Sequence, residues 1–370
     1  MSIHQIEVLI LACLTAVACA IPGVFLILRR VALMSDAISH AILLGIVLAF
    51  MFTKNLSSPL LIVGAAAIGI LTVVLTELLI NTQKLKKDAA IGLVFPLLFS
   101  IGVILLNQFA NDIHLDADCV IFGEIAFAPF NRLIINDMDW GVQGIWVISG
   151  VLLLNIIFFS LFYKELKITT FDAALAASLG FLPNLLNYAL MTTVSVTAVA
   201  SFESVGSILV VALMIAPPAA AYLLTNRLSS MIYLSAGIAI LSAIGGYFCA
   251  YALDANIAGC IATFSGLLFF LTLIFAPEKG ILAKVWLKKW KKWDFASETL
   301  AVHLLQAEHA HAEEAERVVH HMNDHMLWNN EFTSETIAQS IKDGLIKKEG
   351  DKLSLTPLGR EKAKNSIAKE

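Results

Sequence analysis

Asp36 and His40 are the residues whose types and spacing stand out first. They lie four positions apart in the apolar run that follows Arg29 and Arg30, and this spacing places both side chains on one face of a helix, a turn apart. A carboxylate and an imidazole suit borderline divalent cations such as Mn, Fe and Zn. Ionisable groups are costly inside a membrane segment, so they normally face a cavity or a partner. We interpret the pair as metal contacts; the alternative is a buried hydrogen bond that fastens two helices.

The element that must hold this pair is a membrane-spanning helix. The chain has 370 residues, 58% of them hydrophobic and 15% charged, which is typical of polytopic membrane proteins. Runs of about 20 apolar residues cross a bilayer. They predict an all-α polytopic membrane protein with eight or nine transmembrane helices, the sixth being short and interrupted by polar residues. The candidate spans are 5–28, 33–53, 59–80, 89–109, 143–163, 184–200, 205–225, 230–252 and 256–276.

Lysine and arginine residues predict the orientation of these spans, because they concentrate in cytoplasmic loops. Basic residues follow the first, third, fifth, seventh and ninth spans. Nine alternating spans therefore place the N-terminus outside and the C-terminus in the cytoplasm, with only Lys54 and Arg132 as exceptions.

Two further residues are candidate metal contacts. Glu203 is expected at the outer start of the seventh span, where it is either a third ligand or an N-cap acid stabilised by the helix dipole. His114 lies in a long acidic outer loop, 110–142, which could attract a cation or a docking protein. The alternative for His114 is that this loop is simply solvated.

The inner stretch 169–184 predicts a short helix of small residues. Gly180 is placed to end this helix, and Pro183 prevents its continuation. Such a helix could lie flat in a cleft of a cytoplasmic partner, or it could be an ordinary interfacial connector. In the seventh span, Pro217 and Pro218 are expected to kink the helix or unwind it locally.

The composition changes after Pro277. Residues 1–280 form the predicted transmembrane domain, 281–294 a Lys- and Trp-rich interfacial linker, and 295–370 a small cytoplasmic domain. Helices, a hairpin turning near Gly350 and a last helix suggest a winged-helix-like module. Six of the nine histidines fall here, which suggests weak regulatory metal binding or merely a solvated helix. The candidates are His309, His311, His321 and His325. DNA binding is not expected, because no strong basic face appears.

These residues resemble a known family, the permease subunit of bacterial ABC importers for manganese, zinc or iron. The resemblance covers about 5–280. It rests on LMSDAISHAILLGI in the second span, IFGEI in the outer loop, VGSILVVALMIAPPAAAYLL in the seventh span and the closing IFAPEKG. The C-terminal extension is a departure from the pattern of this family. It loosely resembles the wing and metal-binding parts of iron- or manganese-dependent repressors.

The resemblance implies a transport subunit in the cytoplasmic (inner) membrane, not an enzyme. It implies a second permease copy or paralogue, an extracytoplasmic metal-binding protein and a separate ABC ATPase, with Mn, Fe or Zn as cargo and no permanently bound cofactor. Asp36 and His40 match the metal-contact positions of the family, and Thr169–Gly180 matches the helix that couples to the ATPase. The coupling residues expected within it are Thr170, Phe171, Asp172, Ala173, Ala174, Ala177 and Gly180.

Two other functions fit parts of the sequence. An ion-coupled secondary metal carrier would need no ATPase, but it usually shows two halves with matching hydropathy, and no such repeat is evident. A membrane-tethered, metal-responsive regulator would make the C-terminal domain the working part. The chain lacks G-x-x-x-x-G-K-[ST] and H-E-x-x-H, which argues against its own nucleotide hydrolysis and against an intramembrane metalloprotease.

Overall fold

The computed structural model describes residues 2–54, 60–109, 125–135, 138–309, 328–349 and 352–367. The chain divides into two compact units, Met1–Gly280 and Ile281–Glu370.

In the first unit, nine of the described helices are long and apolar enough to cross a membrane. This confirms the upper of the two predicted counts. Short helices α6 (Tyr163–Phe171) and α7 (Ala173–Ser178) lie between the fifth and sixth of them. The nine are α1 (Ile3–Leu28), α2 (Leu33–Thr53), α3 (Leu60–Asn81), α4 (Lys87–Phe109), α5 (Gln143–Leu161), α8 (Pro183–Val205), α9 (Ser207–Leu224), α10 (Leu228–Leu253) and α11 (Ile257–Phe275).

Helix α8 is longer than the predicted sixth span. Its polar residues do not interrupt it, and two of its threonines form hydrogen bonds within the helix itself. The hydroxyls of Thr193 and Thr197 donate to the carbonyls of Ala189 and Thr193, four residues earlier. A hydroxyl that donates to a carbonyl of its own helix does not need a partner elsewhere, so these threonines are compatible with a continuous membrane span.

The two ends of the bundle differ. At one end, which we call the Arg29 end, α1 finishes and α6 and α7 lie. At the other, the hairpin end, a 3-10 helix (Ile125–Phe130) precedes an antiparallel hairpin of β1 (Arg132–Ile135) and β2 (Met138–Val142). Arg132 forms ion pairs with Asp139 at 2.6 Å and with Glu7, near the start of α1, at 3.4 Å. Part of the predicted outer loop is therefore regular structure attached to α1.

Of the two outcomes expected at Pro217 and Pro218 of α9, a kink or local unwinding, unwinding is absent, since the helix is continuous from Ser207 to Leu224. Proline lacks an N–H group, so Pro218 leaves the carbonyl of Met214 without its helical partner. That carbonyl lies against Gly23 of α1, where any side chain would collide with it. A glycine on the neighbouring helix makes room for the freed carbonyl, and the helix continues.

The closing motif IFAPEKG caps the end of α9. The Lys279 ammonium donates to the carbonyls of Tyr222 at 2.9 Å and Thr225 at 3.3 Å, and it lies 4.3 Å from the centre of the Tyr222 ring. A cation is favourable at a helix C-terminus, where carbonyls lack partners. The motif therefore fastens the last span to α9.

Helices α2 and α3 pack through a close glycine contact. A methyl group on Gly45 would collide with the backbone of Gly64, so Gly45→Ala should destabilise the protein by about 1–3 kcal/mol, the usual cost of overpacking. Thermal unfolding in detergent measures this change. In Gly150→Ala of α5 the new methyl meets no atom within 4 Å, so this control should keep or raise the unfolding midpoint. Equal midpoints for both variants would contradict the contact.

The second unit has its own apolar core. It contains α12 (Ile281–His309), α13 (Asn330–Lys342), β3 (Ile346–Glu349), β4 (Lys352–Leu355) and α14 (Pro357–Ile367). The strands pair antiparallel, and Leu300 and Leu304 of α12 are buried with Ile346 and Leu353 of the hairpin. Residues 281–294 are the first half of α12, so the predicted linker is helical and continuous with the helix that enters this core.

Candidate metal site and coupling segment

Asp36 and His40 lie in the first two turns of α2, at the Arg29 end. Their side chains meet on one face, with 3.5 Å between Asp36 Oδ1 and His40 Nε2, and they are 40% and 38% exposed. The imidazole is flanked by two rings of α4, Phe95 and Phe99, each with its centre 5.8 Å away. We call these two rings the aromatic clamp. The imidazole therefore packs against α4 while part of its surface remains exposed.

The separation of the two donor atoms suits chelation of one ion. Metal–ligand bonds to imidazole nitrogen and carboxylate oxygen are about 2.0–2.2 Å long. At octahedral or tetrahedral angles, two such donors stand about 3.0–3.4 Å apart. The observed 3.5 Å therefore requires almost no movement. Within the described part of the chain, no group of three or more His, Cys, Asp or Glu residues is arranged to hold a metal. One chain thus offers a pair of ligands here.

Glu203 is not at the start of the seventh span. It lies in the last turn of α8, so the expected N-cap role is wrong: a helix C-terminus is unfavourable for an acid. It lines a cavity of about 270 Å³ at the hairpin end, together with Asn131, Gln143 and Ser204. Asn187, at the Arg29 end of α8, is separated from Glu203 by about 24 Å of helix. Glu203 therefore cannot share an ion with the Asp36–His40 pair in this conformation.

The remaining metal candidates cannot be placed. His114, His311, His321 and His325 lie outside the described residues, and so does the side chain of His309.

The short helix predicted between the fifth and sixth spans is present as α7. Asp172 is its N-cap and accepts a hydrogen bond from the amide of Leu175 at 2.9 Å. Gly180 follows the helix at φ +85°, a left-handed conformation that favours glycine. Pro183 then begins α8 at a position where its missing N–H has no cost. The local chemistry of this stretch explains each of its boundaries.

One side of residues 170–185 is apolar and exposed; we call these residues the coupling segment, after the role that the sequence predicts for them. Ala176 is fully buried, whereas Ala173, Ala174 and Ala177 are exposed. Contiguous exposed apolar surface marks a site of contact with a protein or with the membrane. The large apolar residues that are exposed here are Phe171, Leu175, Leu179, Leu182 and Leu185.

The aromatic clamp was not predicted from the sequence. Phe95 and Phe99 share the four-residue spacing of Asp36 and His40, but phenylalanine is common in apolar spans. Only the packing of α2 against α4 shows which rings meet the imidazole.

Comparisons with known proteins agree with this architecture. The model of the ABC 3 transport family matches residues 4–276. The zinc transport system membrane protein TroD of Treponema pallidum is 43% identical over 354 residues, 95% of this chain and 96% of that protein. The manganese transport system membrane protein MntD of Bacillus subtilis is 46% identical, covering 73% of this chain and 92% of that protein. The solved structure of PsaBC from Streptococcus pneumoniae in complex with Fab matches with a TM-score of 0.61 and 28% identity, over 75% of this chain and 94% of that one.

The lengths of these alignments show that the two units are not equally shared among the relatives. The alignment with TroD is longer than the first unit, so it extends through most of the second unit as well. The alignment with MntD covers about the length of the first unit alone. The C-terminal extension is thus shared with some relatives and not with others. The chain belongs to the ABC 3 transport family, and it is a multi-pass membrane permease subunit of a bacterial ABC importer, not an enzyme.

Proposed function

We propose that this permease moves manganese or zinc, the metals for which the TroD and MntD relatives are named. The observation that carries the proposal is the Asp36–His40 pair, with its donor atoms set 3.5 Å apart on a partly exposed face. Two protein ligands replace only part of the hydration shell of the ion. A site that must release its ion benefits from such moderate binding.

A second copy of the permease, or a paralogue, would complete the site. On α2 the less buried residues follow a helical stripe that contains Leu33, Asp36, His40 and Leu43. A carboxylate and an imidazole facing lipid would be costly, so this stripe is suited to a partner and a pathway. Two facing stripes would bring four protein ligands to one ion, which is an ordinary coordination number for these metals.

The Arg29 end faces the cytoplasm in this proposal, and α7 docks on the ABC ATPase there. Basic residues gather at this end, as they do in cytoplasmic loops; they include Lys84, Lys86, Lys87, Lys164 and Arg227. The exposed apolar side of the coupling segment supplies the docking surface. The hairpin end then faces outward and receives the extracytoplasmic metal-binding protein.

The proposal is tested by transport in proteoliposomes that contain this chain and its ATPase, with metal-loaded binding protein outside. Radioactive manganese, zinc and iron are supplied separately, with and without ATP. We expect ATP-dependent uptake of manganese or zinc. ATP-independent uptake driven by an ion gradient would instead indicate a secondary carrier.

We further propose that the second unit is a winged-helix-like regulatory module. Its support is the β3–β4 hairpin followed by α14, packed on α12, and the resemblance to metal-dependent repressors. Four of the six histidines of this unit, His309, His311, His321 and His325, would sense metal. A chain truncated after Gly280 should transport metal but lose inhibition by excess metal. Identical inhibition in the full and truncated chains would contradict this role.

A further inference from the structure

The Arg29 side chain holds both flanks of α7. Its guanidinium donates to Thr169 Oγ1 at 3.2 Å and to Thr170 Oγ1 at 3.1 Å, at the end of α6. It also donates to Asn187 Oδ1 at 2.6 Å, in the first turns of α8. The first two residues precede α7 and the third follows it. One side chain therefore fastens the chain immediately before and after the proposed docking helix.

The guanidinium remains charged in this position. Burial lowers the pKa of Arg29 to about 10, and the carboxylate of Glu77 acts in the opposite direction. A pKa near 10 leaves the group cationic at neutral pH. Its planar, rigid arrangement of several N–H donors reaches three acceptors at once, which a lysine ammonium does not reproduce.

The turn that contains Arg29 leads into α2 and also contacts α4. The amide of Val31 donates to the carbonyl of Leu26 at 3.0 Å, and the turn passes directly into α2. The ammonium of Lys87, the first residue of α4, donates to the Arg29 carbonyl at 3.3 Å. Helix α2 carries Asp36 and His40, and α4 carries the aromatic clamp.

We propose that Arg29 is a positioning residue that transmits movement of α7 to the Asp36–His40 pair. This inference rests on the proposed function, in which α7 meets the ATPase and the pair meets the ion. Coupling between separate sites requires a physical connection whose arrangement both sites influence. Arg29 contacts both flanks of the docking helix through its side chain. Its carbonyl accepts from Lys87 of α4, and the turn that contains it leads into α2.

The test measures the coupling of ATP hydrolysis to transport separately from ATPase docking and from Mn²⁺ binding. Arg29→Gln removes the charge and the multiple donors, and Arg30→Gln is the matched control, because Arg30 is exposed and its side chain forms no hydrogen bond among the described residues. Each variant is assembled with its ATPase in proteoliposomes. Four quantities are measured: ATPase co-purification, Mn²⁺ binding by equilibrium dialysis, ATP hydrolysis, and Mn²⁺ transported per ATP hydrolysed.

We expect Arg29→Gln to keep ATPase co-purification and Mn²⁺ binding, and to lower Mn²⁺ transported per ATP by about tenfold or more, within the usual range of coupling between sites. Arg30→Gln should retain the wild-type ratio. An unchanged ratio in Arg29→Gln would overturn the inference. Loss of ATPase co-purification or of Mn²⁺ binding would overturn it too, because Arg29 would then shape one site rather than join the two.

A second variant keeps the test decisive if Arg29→Gln does not fold. Asn187→Leu removes the shortest of the three bonds and leaves Arg29 in place, and it should lower the same ratio in the same direction. A wild-type ratio in Asn187→Leu would overturn the inference. Failure of the proposed function looks different, because the unmodified protein itself would then show no ATP-dependent uptake of either Mn²⁺ or Zn²⁺.

Discussion

His40→Gln and Asp36→Asn should each reduce ATP-driven metal uptake by about a hundredfold or more. Either change leaves one strong protein ligand per chain where the geometry provides two. Loss of groups that merely orient a ligand already costs about 10–100-fold in metal affinity, so loss of a ligand should cost at least as much. Uptake of radioactive manganese and zinc, in cells that lack other importers, measures the effect.

Ser39→Ala is the matched control for this prediction. Ser39 lies on the same helix, is also partly exposed, and its hydroxyl donates to the carbonyl of Ser35 at 2.7 Å. Its replacement should leave uptake unchanged. Normal metal accumulation by both His40→Gln and Asp36→Asn would remove these residues from the pathway.

Ala174→Trp and Ala177→Trp should abolish binding of the ATPase while leaving the permease folded. Both positions are exposed on α7, so a large side chain there obstructs a partner without disturbing the core. Ala176→Trp should instead prevent folding, because Ala176 is fully buried and overpacking a helix contact is destabilising. Co-purification of the ATPase and size-exclusion chromatography in detergent distinguish the two outcomes.

Lys84→Trp is the control for adding a large side chain at the same end of the bundle. Lys84 is exposed in the α3–α4 connection, outside residues 170–185. It should retain the ATPase. If Ala174→Trp and Ala177→Trp also retain it, α7 is not the docking element.

The sequence predicts most of the membrane unit because its signals are local. Apolar runs define the spans, and Asp172, Gly180 and Pro183 define the limits of α7 and the start of α8. The four-residue spacing of Asp36 and His40 places them together whatever surrounds the helix.

The features that the sequence does not predict depend on contacts between helices or on the exact position of a helix boundary. The continuity of α9 through its two prolines depends on Gly23 of another helix. The sequence predicts the wrong helix for Glu203 because only one residue, Gly206, separates α8 from α9. Composition does not distinguish the end of one span from the start of the next. From the sequence, Arg29 indicates only the orientation of the spans in the membrane. Its hydrogen bonds are not predictable, because its three acceptors lie more than a hundred residues away in the chain.

The most direct test of the account is whether the transported ion touches His40. Pulsed electron paramagnetic resonance of Mn²⁺ bound to the purified permease detects coupling to an imidazole nitrogen. We predict this coupling in the wild-type protein and in Ser39→Ala, and its loss in His40→Gln. An Mn²⁺ spectrum with the same nitrogen coupling in His40→Gln, or without it in the wild-type protein, would contradict the assignment of the Asp36–His40 pair.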